Sequence, residues 1–509
     1  MRNRVLVLVA ILAAILTLPQ CQDSTLPLSI EEEHELICGS CHLVVDPADI
    51  PRDIWDRHVL PNMAARVGLA YGDYDPLKGL VLEEAYEVGK TNVYPKASTV
   101  DSAMWWRVRD YILAAAPTSI EVDSHRFDGL KNSERFTASQ FRFVDDRSSF
   151  VTGASFGATQ DQFVVSIVDG RLYAVPGGNS LTLRGNSAVV GFSVSETDTL
   201  LTQIGSMRPT QIGNGSIVRV GPQGKTETLA TELHRPVHTV RTDLNGDGTD
   251  ELVVCEFGYY EGQTSVFAKK DGRYHGTAVL ELPGTIKTEI VDLNADGHLD
   301  IIVLASQGQE GIYALYGDGQ LNFRREVLVQ HPPHWGTSWF VLADIDGDTD
   351  LDLAIANGDN ADYSIFAKPY HGVRIYENDG SGNFSPHFFY PMYGATRLVA
   401  SDFNADGLID FAVSAFFPNY SAGESAGFVL LEQQQNSPQF VARLLPETSA
   451  GRWLIMEGGD LGSDGDVDLL LGSFPMPPGP SGSAAYAEWQ AEPVDVMVLE
   501  NIGPQSPKR

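Results

Sequence analysis

Basic residues are scarce in this chain of 509: 35 lysines and arginines face 67 aspartates and glutamates, for a formal charge of −32. That deficit excludes nucleic acid as a partner, whose phosphates need basic surface, and argues against docking on anionic lipid. Long apolar runs are missing except for one at the N-terminus. No Ser-His-Asp arrangement, phosphate loop or dinucleotide fingerprint stands out, which removes the commonest enzyme classes. Cysteine is limited to Cys21, Cys38, Cys41 and Cys255. What is present, 43% hydrophobic and 20% charged, is enough for more than one well-cored domain.

The opening "MRNR" supplies a positive region, and "VLVLVAILAAILTLP" is an apolar run too short for a comfortable membrane span. Cys21 follows directly, then the polar "QDSTLPLS". That layout resembles a bacterial lipoprotein signal, whose cysteine becomes the lipidated first residue. The box "LPQC" departs from the usual small residues before the cysteine, so ordinary signal cleavage and a retained anchor stand beside lipidation. Residues 1–20 are read as the signal, 21–29 as a linker, and the mature protein as exported, to the periplasm or the cell surface.

Cys38 and Cys41 lie in "CGSCH", which closes with His42. The spacing suits covalent haem: two thiols reach the two vinyl groups and the next imidazole reaches the iron. A chance match or a disulfide are the alternatives. "PADIPRDIWDRHVLPNMAARVG" carries apolar residues at helical spacing after a proline start. "STVDSAMWWRVRDYILAAAP" is expected as a second amphipathic helix, opened by Ser98 or Thr99 and stopped before Pro117. Residues 30–117 thus resemble the small c-type cytochromes, a class that implies one haem c. Met63 is the chosen sixth ligand, with His58 and Met104 as rivals and Trp55 as a wall of the pocket. Cys255, in "ELVVCEF", reads as a buried, unpaired strand residue.

The rest of the chain is dominated by one repeated segment. "DLNGDGTDE" at Asp243, "DLNADGHLD" at Asp292, "DIDGDTDLD" at Asp344, "DFNADGLID" at Asp402 and "DLGSDGDVD" at Asp460 begin 49, 52, 58 and 58 residues apart. Together they hold 19 of the 67 acidic residues. Oxygens at positions one, three and five of a tight loop, a glycine at six and a carboxylate at nine can wrap a hard cation such as calcium. Strand-like runs flank each loop, "TEIV" and "IIVLAS" around the second, so each joins two antiparallel strands. Four strands repeated every 50 residues make a propeller blade.

Residues 120–509 therefore resemble the FG-GAP/VCBS repeat family, the calcium-looped propellers also found in integrin α chains. By that pattern Asp243, Asn245 and Asp247 open the first site, with Glu251 in place of the final aspartate. Asp292, Asn294, Asp296 and Asp300 form the second. Asp344, Asp346, Asp348 and Asp352 form the third, where Thr349 replaces glycine. Asp402, Asn404, Asp406 and Asp410 form the fourth. Asp460, Asp464 and Asp468 remain in the fifth, which Gly462 deprives of a ligand, so about four Ca²⁺ are expected. Stepping back by 50 lands near Ser195 and Asp145, which gives seven blades. The expected fold is an all-β seven-bladed propeller preceded by a small all-α cytochrome c domain. The segment "SHRFDGLK" is expected to add the strand that closes the ring.

Calcium loops share one face of such a propeller, and long insertions share the other, where ligands usually bind. The insertions are aromatic, with Tyr363, Tyr370, His371, Tyr420, Tyr486 and Trp489 expected to be exposed. His238, Lys287, Trp339 and Arg397 stand five residues before successive loops. They are expected as a cationic mouth for an anionic ligand, or as residues each paired with a nearby carboxylate. Tryptophan docking repeats of quinone-dependent propeller dehydrogenases are missing. Three functions follow: a haem c electron-transfer protein whose propeller binds a partner or substrate, an extracytoplasmic binding or adhesion propeller with accessory haem, and an oxidoreductase acting on the insertion face. The short linker after Pro117 implies that the haem domain packs on the propeller, near that face.

Overall fold

The structure, a computed structural model, describes residues 27–503 apart from 124–125, 145–147, 158–161, 177–179, 183–186, 361–365, 420–426, 436–438 and 477–483. The expected signal with Cys21, and Asp145, Tyr363 and Tyr420, lie outside the described residues. Seven sheets follow one another around a ring, antiparallel apart from one two-residue strand added in parallel to blade six. Blade one spans residues 151–182, blade two 189–233, blade three 236–280, blade four 285–330, blade five 337–391, blade six 395–444 and blade seven 453–501. The chain is a seven-bladed all-β propeller carrying a small helical region before it.

In blades three to seven the second strand is buried along its whole length: Glu251–Glu256, Asp300–Ala305, Asp352–Asn357, Asp410–Ala415 and Asp468–Ser473. A strand packed between neighbouring blades buries both faces, so the sequence reads as a near-continuous apolar run there. Large side chains fill the seams. Tyr313 bridges blades three and four, Phe340 lies between four and five, and Trp453 between six and seven. Blade seven lacks an outer strand of its own. Phe136–Phe141 supplies it, pairing antiparallel from Phe136 with Asn501 to Phe141 with Val496. Closure by residues preceding blade one is as expected, but the segment is displaced. Among the described residues of "SHRFDGLK", 126–131, only Lys131 enters a strand, pairing with Arg443 on the outer edge of blade six. Blade one's first two strands are Val151–Phe156 and Phe163–Ile167, so the connection between them falls beyond the expected Asp145.

Helices Ile30–Cys38, Leu82–Thr91 and Ser102–Ala115, with a helical run over residues 52–66, form the N-terminal region. Ser29 and Glu32 close a capping box on the first helix. The run widens to a π turn at Trp55–Val59, where the Leu60 amide reaches back to the Trp55 carbonyl. Pro61 explains this, because it has no N–H to give and its ring would strike the carbonyl one turn earlier. The last helix starts later than expected: Asp101, not Ser98 or Thr99, accepts the capping bond, from the Met104 amide. Trp55, Leu60, Ala64, Trp105, Val108 and Ile112 make one apolar core. Among the described residues no helix is long and apolar enough to cross a membrane.

Candidate functional site

The first helix ends at Cys38, where the Gly39 amide bonds the Glu35 carbonyl and turns the chain into Ser40–His42. Cys38 is half-buried, Cys41 exposed, and both are free thiols. Burial pushes the Cys38 thiol up to about 12. His42 holds its Nδ1 2.7 Å from the Leu43 carbonyl oxygen. Cys38, Met63 and Met104 all pack on the helical core, while His58 stays exposed. Trp55 is buried beside them, its indole N–H donating to the Pro47 carbonyl at 3.1 Å.

The helical region sits on the propeller face made by second-to-third-strand loops and blade connections. Asp49 Oδ2 lies 3.1 Å from His334 Nε2, and the Tyr370 hydroxyl donates to the Asp49 carbonyl at 3.1 Å. Glu84, buried on the helix Leu82–Thr91, accepts from the Gln211 amide at 2.6 Å and from the Thr210 hydroxyl. Tyr94 and Tyr260 hydroxyls meet at 3.2 Å, with the Arg66 guanidinium over the Tyr260 ring. Residues 205–214, 257–262, 331–336 and 366–371 all lie on this face, opposite the aspartate loops. His334 therefore sits between Asp49 and Tyr370, and burial lowers its pKa despite the carboxylate.

Several aromatic residues expected on the surface are buried instead. Tyr370 and His371 are covered at this junction, and burial holds the His371 imidazole well below its ordinary range. Trp489 is buried under its own short helix, Ala484–Ala491, and donates to the Ser449 carbonyl at 2.9 Å. Tyr486 on the same helix remains half-buried.

The structure does bring His238, Lys287, Trp339 and Arg397 together. Each follows a bulge at the start of an inner strand, a device that re-aims one side chain. They converge at the centre of the ring, where Lys287 pairs with a neighbouring carboxylate and both cationic side chains stack on Trp339. Lys287 Nζ lies 2.7 Å from Glu289 and 4.6 Å from the Trp339 ring centre, and also donates to the Phe340 carbonyl. The Arg397 guanidinium stacks at 3.8 Å on the same ring. Burial, with Lys287 and Arg397 nearby, lowers His238 to about 3, so it stays neutral. Burial raises the Glu457 carboxyl, which Arg397 and Lys287 oppose.

On the opposite face, positions one, three and five of the loops behave alike. In the second loop the Asp296 amide bonds Asp292 Oδ1 and Asn294 Oδ1 at 3.0 Å each, and the Gly297 amide bonds Asp292 Oδ2 at 2.8 Å. The loops at Asp243 and Asp402 repeat these bonds. In the third, carboxylate oxygens of Asp344, Asp346 and Asp348 lie within 4.8 Å of one another. Thr349 occupies the glycine position at φ +83°, a conformation that strains a β-branched residue. The fifth loop is looser, with amide bonds to Asp460 of 3.2 Å. Ninth residues are turned inward and buried: Glu251, Asp300, Asp352, Asp410 and Asp468. Burial raises the carboxyl pKa of each, Asp410 to about 7. A cavity of about 800 Å³ opens between the loops of blades six and seven, lined by Asp402, Asp464 and Asp466.

Two groups escaped sequence reasoning. Glu84 looks like any helix-surface acid, since its second and third helical neighbours are also charged or exposed. The buried set Glu310, His331, Thr337, Asn357 and Tyr376, with His331 Nδ1 2.8 Å from Thr337 and Nε2 2.8 Å from Tyr376, ties blade four to blade five. Its members are scattered over 67 residues, and the one available cue was a histidine at the end of an apolar strand.

Residues 292–355, from the second loop through the third, match a family model described as an FG-GAP-like repeat. No curated protein matches the chain. Among solved structures it is similar to the WD40 domain of Pan2 from Neurospora crassa, at 11% identity over 73% of this chain and 98% of that one, TM-score 0.41. The N-terminal domain of Nup159 covers 73% of this chain and 96% of its own at 10% identity, TM-score 0.40. A gluconolactonase from Xanthomonas campestris covers 56% and 93% at 12% identity, TM-score 0.33. Similarities this slight say nothing of activity.

Proposed function

We propose that this is an exported electron-transfer protein: residues 30–117 form a c-type cytochrome domain, and the propeller, stiffened by cations, presents it to a partner or substrate. The observation that carries this reading is the state of "CGSCH". Both thiols are free, and the His42 Nδ1 is engaged by a carbonyl, which leaves Nε2 as the nitrogen available to a metal. Cys38 and Cys41 would hold the two thioether bonds and His42 Nε2 the iron. Met63 would supply the sixth ligand, since it shares the apolar core with Cys38; Met104 shares it too, and His58 does not. Haem c, when bound, supplies reversible one-electron chemistry there. The buried Trp55 and Trp105 would exclude water from that core.

Docking of this domain on the insertion face supports a shared role for the two parts, because Asp49, seven residues after His42, touches His334 and Tyr370 of the propeller. Calcium at the aspartate loops, held by the residues at positions one, three and five, would fix the opposite face. Export, with lipid on Cys21 as the anchor, fits the apolar leader and the need for haem ligation outside the cytoplasm. The test is a reduction potential on the purified protein, followed by a screen of electron donors. A potential in the range of periplasmic carriers with rapid exchange is expected. A protein that takes up no haem, or exchanges no electrons, would leave an adhesion or binding propeller as the better reading.

A further inference from the structure

One histidine at the junction of the helical region and the propeller is seated so that only its neutral form fits. His334 lies in the connection 331–336 between blades four and five, with its side chain 7% exposed. Its Nε2 stands 3.1 Å from Asp49 Oδ2, so that nitrogen carries the hydrogen that the carboxylate accepts. The other nitrogen, Nδ1, is buried and has no hydrogen-bond partner among the described residues. A second proton on His334 has to go to Nδ1, where nothing accepts it. The neighbouring His371 offers no help. Its Nδ1 takes the Gly394 amide at 3.4 Å, so its Nε2 carries a hydrogen, which is itself buried without an acceptor. Tyr370 packs edge-to-face on both imidazoles, with ring centres 4.7 Å from His334 and 5.6 Å from His371.

The groups that face His334 are Asp49 and His42 from the helical region, and Lys368, Tyr370 and His371 from the insertion of blade five. Of these, Asp49 alone favours a charged imidazole. Burial outweighs it and holds the imidazole below its ordinary range. Freed from the junction, the same side chain meets water and titrates near its ordinary 6.5. We propose that the His334–Asp49 contact is an acid-released latch: neutral His334 seats the helical region on the propeller, and a proton on His334 opens that end. Neither residue of the latch is a proposed haem ligand. Because the released imidazole binds its proton more readily than the seated one, the contact is at full strength above pH 6.5 and weakens below it. The loss is at most tenfold per unit, hence at most about 30-fold between pH 7.5 and 5.0. Glu84, held by Thr210 and Gln211, keeps the other end closed, so the region swings rather than detaches. The swing uncovers Tyr370, whose hydroxyl donates to the Asp49 carbonyl.

Amide hydrogen exchange on the full chain tests the latch, with rates converted to protection factors so that the intrinsic pH dependence cancels. The amides that report are those of residues 46–50, 334–336 and 369–371. In the wild type their protection is expected to fall by about three- to 30-fold from pH 7.5 to 5.0, while residues 82–91 keep theirs. His334→Gln can still donate an amide hydrogen to Asp49 but takes up no proton, and is expected to keep its protection at both pH values. Asp49→Asn keeps an acceptor oxygen and removes the charge that favours the imidazolium, so it is expected to lose at least as much protection in acid as the wild type. Wild-type protection that stays constant overturns the latch, and protection that rises in acid shows an ion pair in its place. A His334→Gln chain that loses protection as the wild type does assigns the effect to another group and also overturns it. Where exchange in blades one and six shows that His334→Gln has not folded, Asp49→Asn decides: an acid loss smaller than the wild type's refutes the proposal.

Discussion

Replacing Glu84 with alanine should loosen the helical region from the propeller at one end. The carboxylate is 6% exposed and accepts two donors from the blade-two loop, the Thr210 hydroxyl and the Gln211 amide. Truncation leaves both donors buried without an acceptor, at about 1–3 kcal/mol each, so about 2–6 kcal/mol in total. At 1.4 kcal/mol per factor of ten, local opening of the contact should become at least about 30-fold more frequent. Asp49 with His334 and Tyr370, and Tyr94 with Tyr260, remain, so the region should fray at the helix Leu82–Thr91 rather than detach. Amide hydrogen exchange resolves this: faster exchange in residues 82–91 and 205–214, and unchanged exchange in blades five and six. Glu84→Gln, whose carbonyl can still accept the Gln211 amide, should fall between the two. Wild-type exchange rates at residues 82–91 in Glu84→Ala would refute the contact and the fixed docking built on it.

Three further outcomes are expected. Thr349→Gly relieves a β-branched residue at φ +83° and should stabilise the propeller by about 1 kcal/mol, read as a higher denaturation midpoint; no gain would show the strain is absent. In haem-free protein near pH 8, iodoacetamide should modify exposed Cys41 and spare Cys38 and Cys255, whose thiols burial pushes up to about 12; equal labelling by mass spectrometry would contradict it. Burial lowers His331 from 6.5 to about 3, so the folded state resists its protonation. Its contribution is complete above pH 6.5 and is lost as pH falls toward 3. Because buried aspartates with raised pKa values act in the opposite sense, the measurement is a difference: the melting-temperature gap between wild type and His331→Gln should narrow from pH 7 to pH 4. A constant gap would exclude His331 as the source.

The repeat was legible because each loop is a local motif, with aspartate, amide and glycine fixed by a nine-residue turn. Blade two carried its loop at Ser195 as expected, through strand spacing alone. That residues before blade one close the ring was legible, but not which ones: Phe136–Phe141 has no motif, and its partner Asn501 lies more than 360 residues away. Burial of Tyr370, His371 and Trp489 was hidden for the same reason, since each is covered by a segment distant in the chain or by a helix in an insertion that reads as loop. Cys255 was legible, being fully buried and free within its apolar strand. The central cluster of His238, Lys287 and Arg397 was found by position. Their pairing with Glu289, Trp339 and Glu457 depends on how seven inner strands converge, which no window of sequence contains.

The central claim is that "CGSCH" carries haem. Expressing the whole 509-residue chain in a bacterium that attaches haem c, then staining a denaturing gel for haem peroxidase activity, tests it most directly. A stained band at the chain's mass in the exported fraction, lost in Cys38→Ala and in Cys41→Ala, is the predicted result. A protein exported and folded but unstained, with both thiols free in its intact mass, would contradict it.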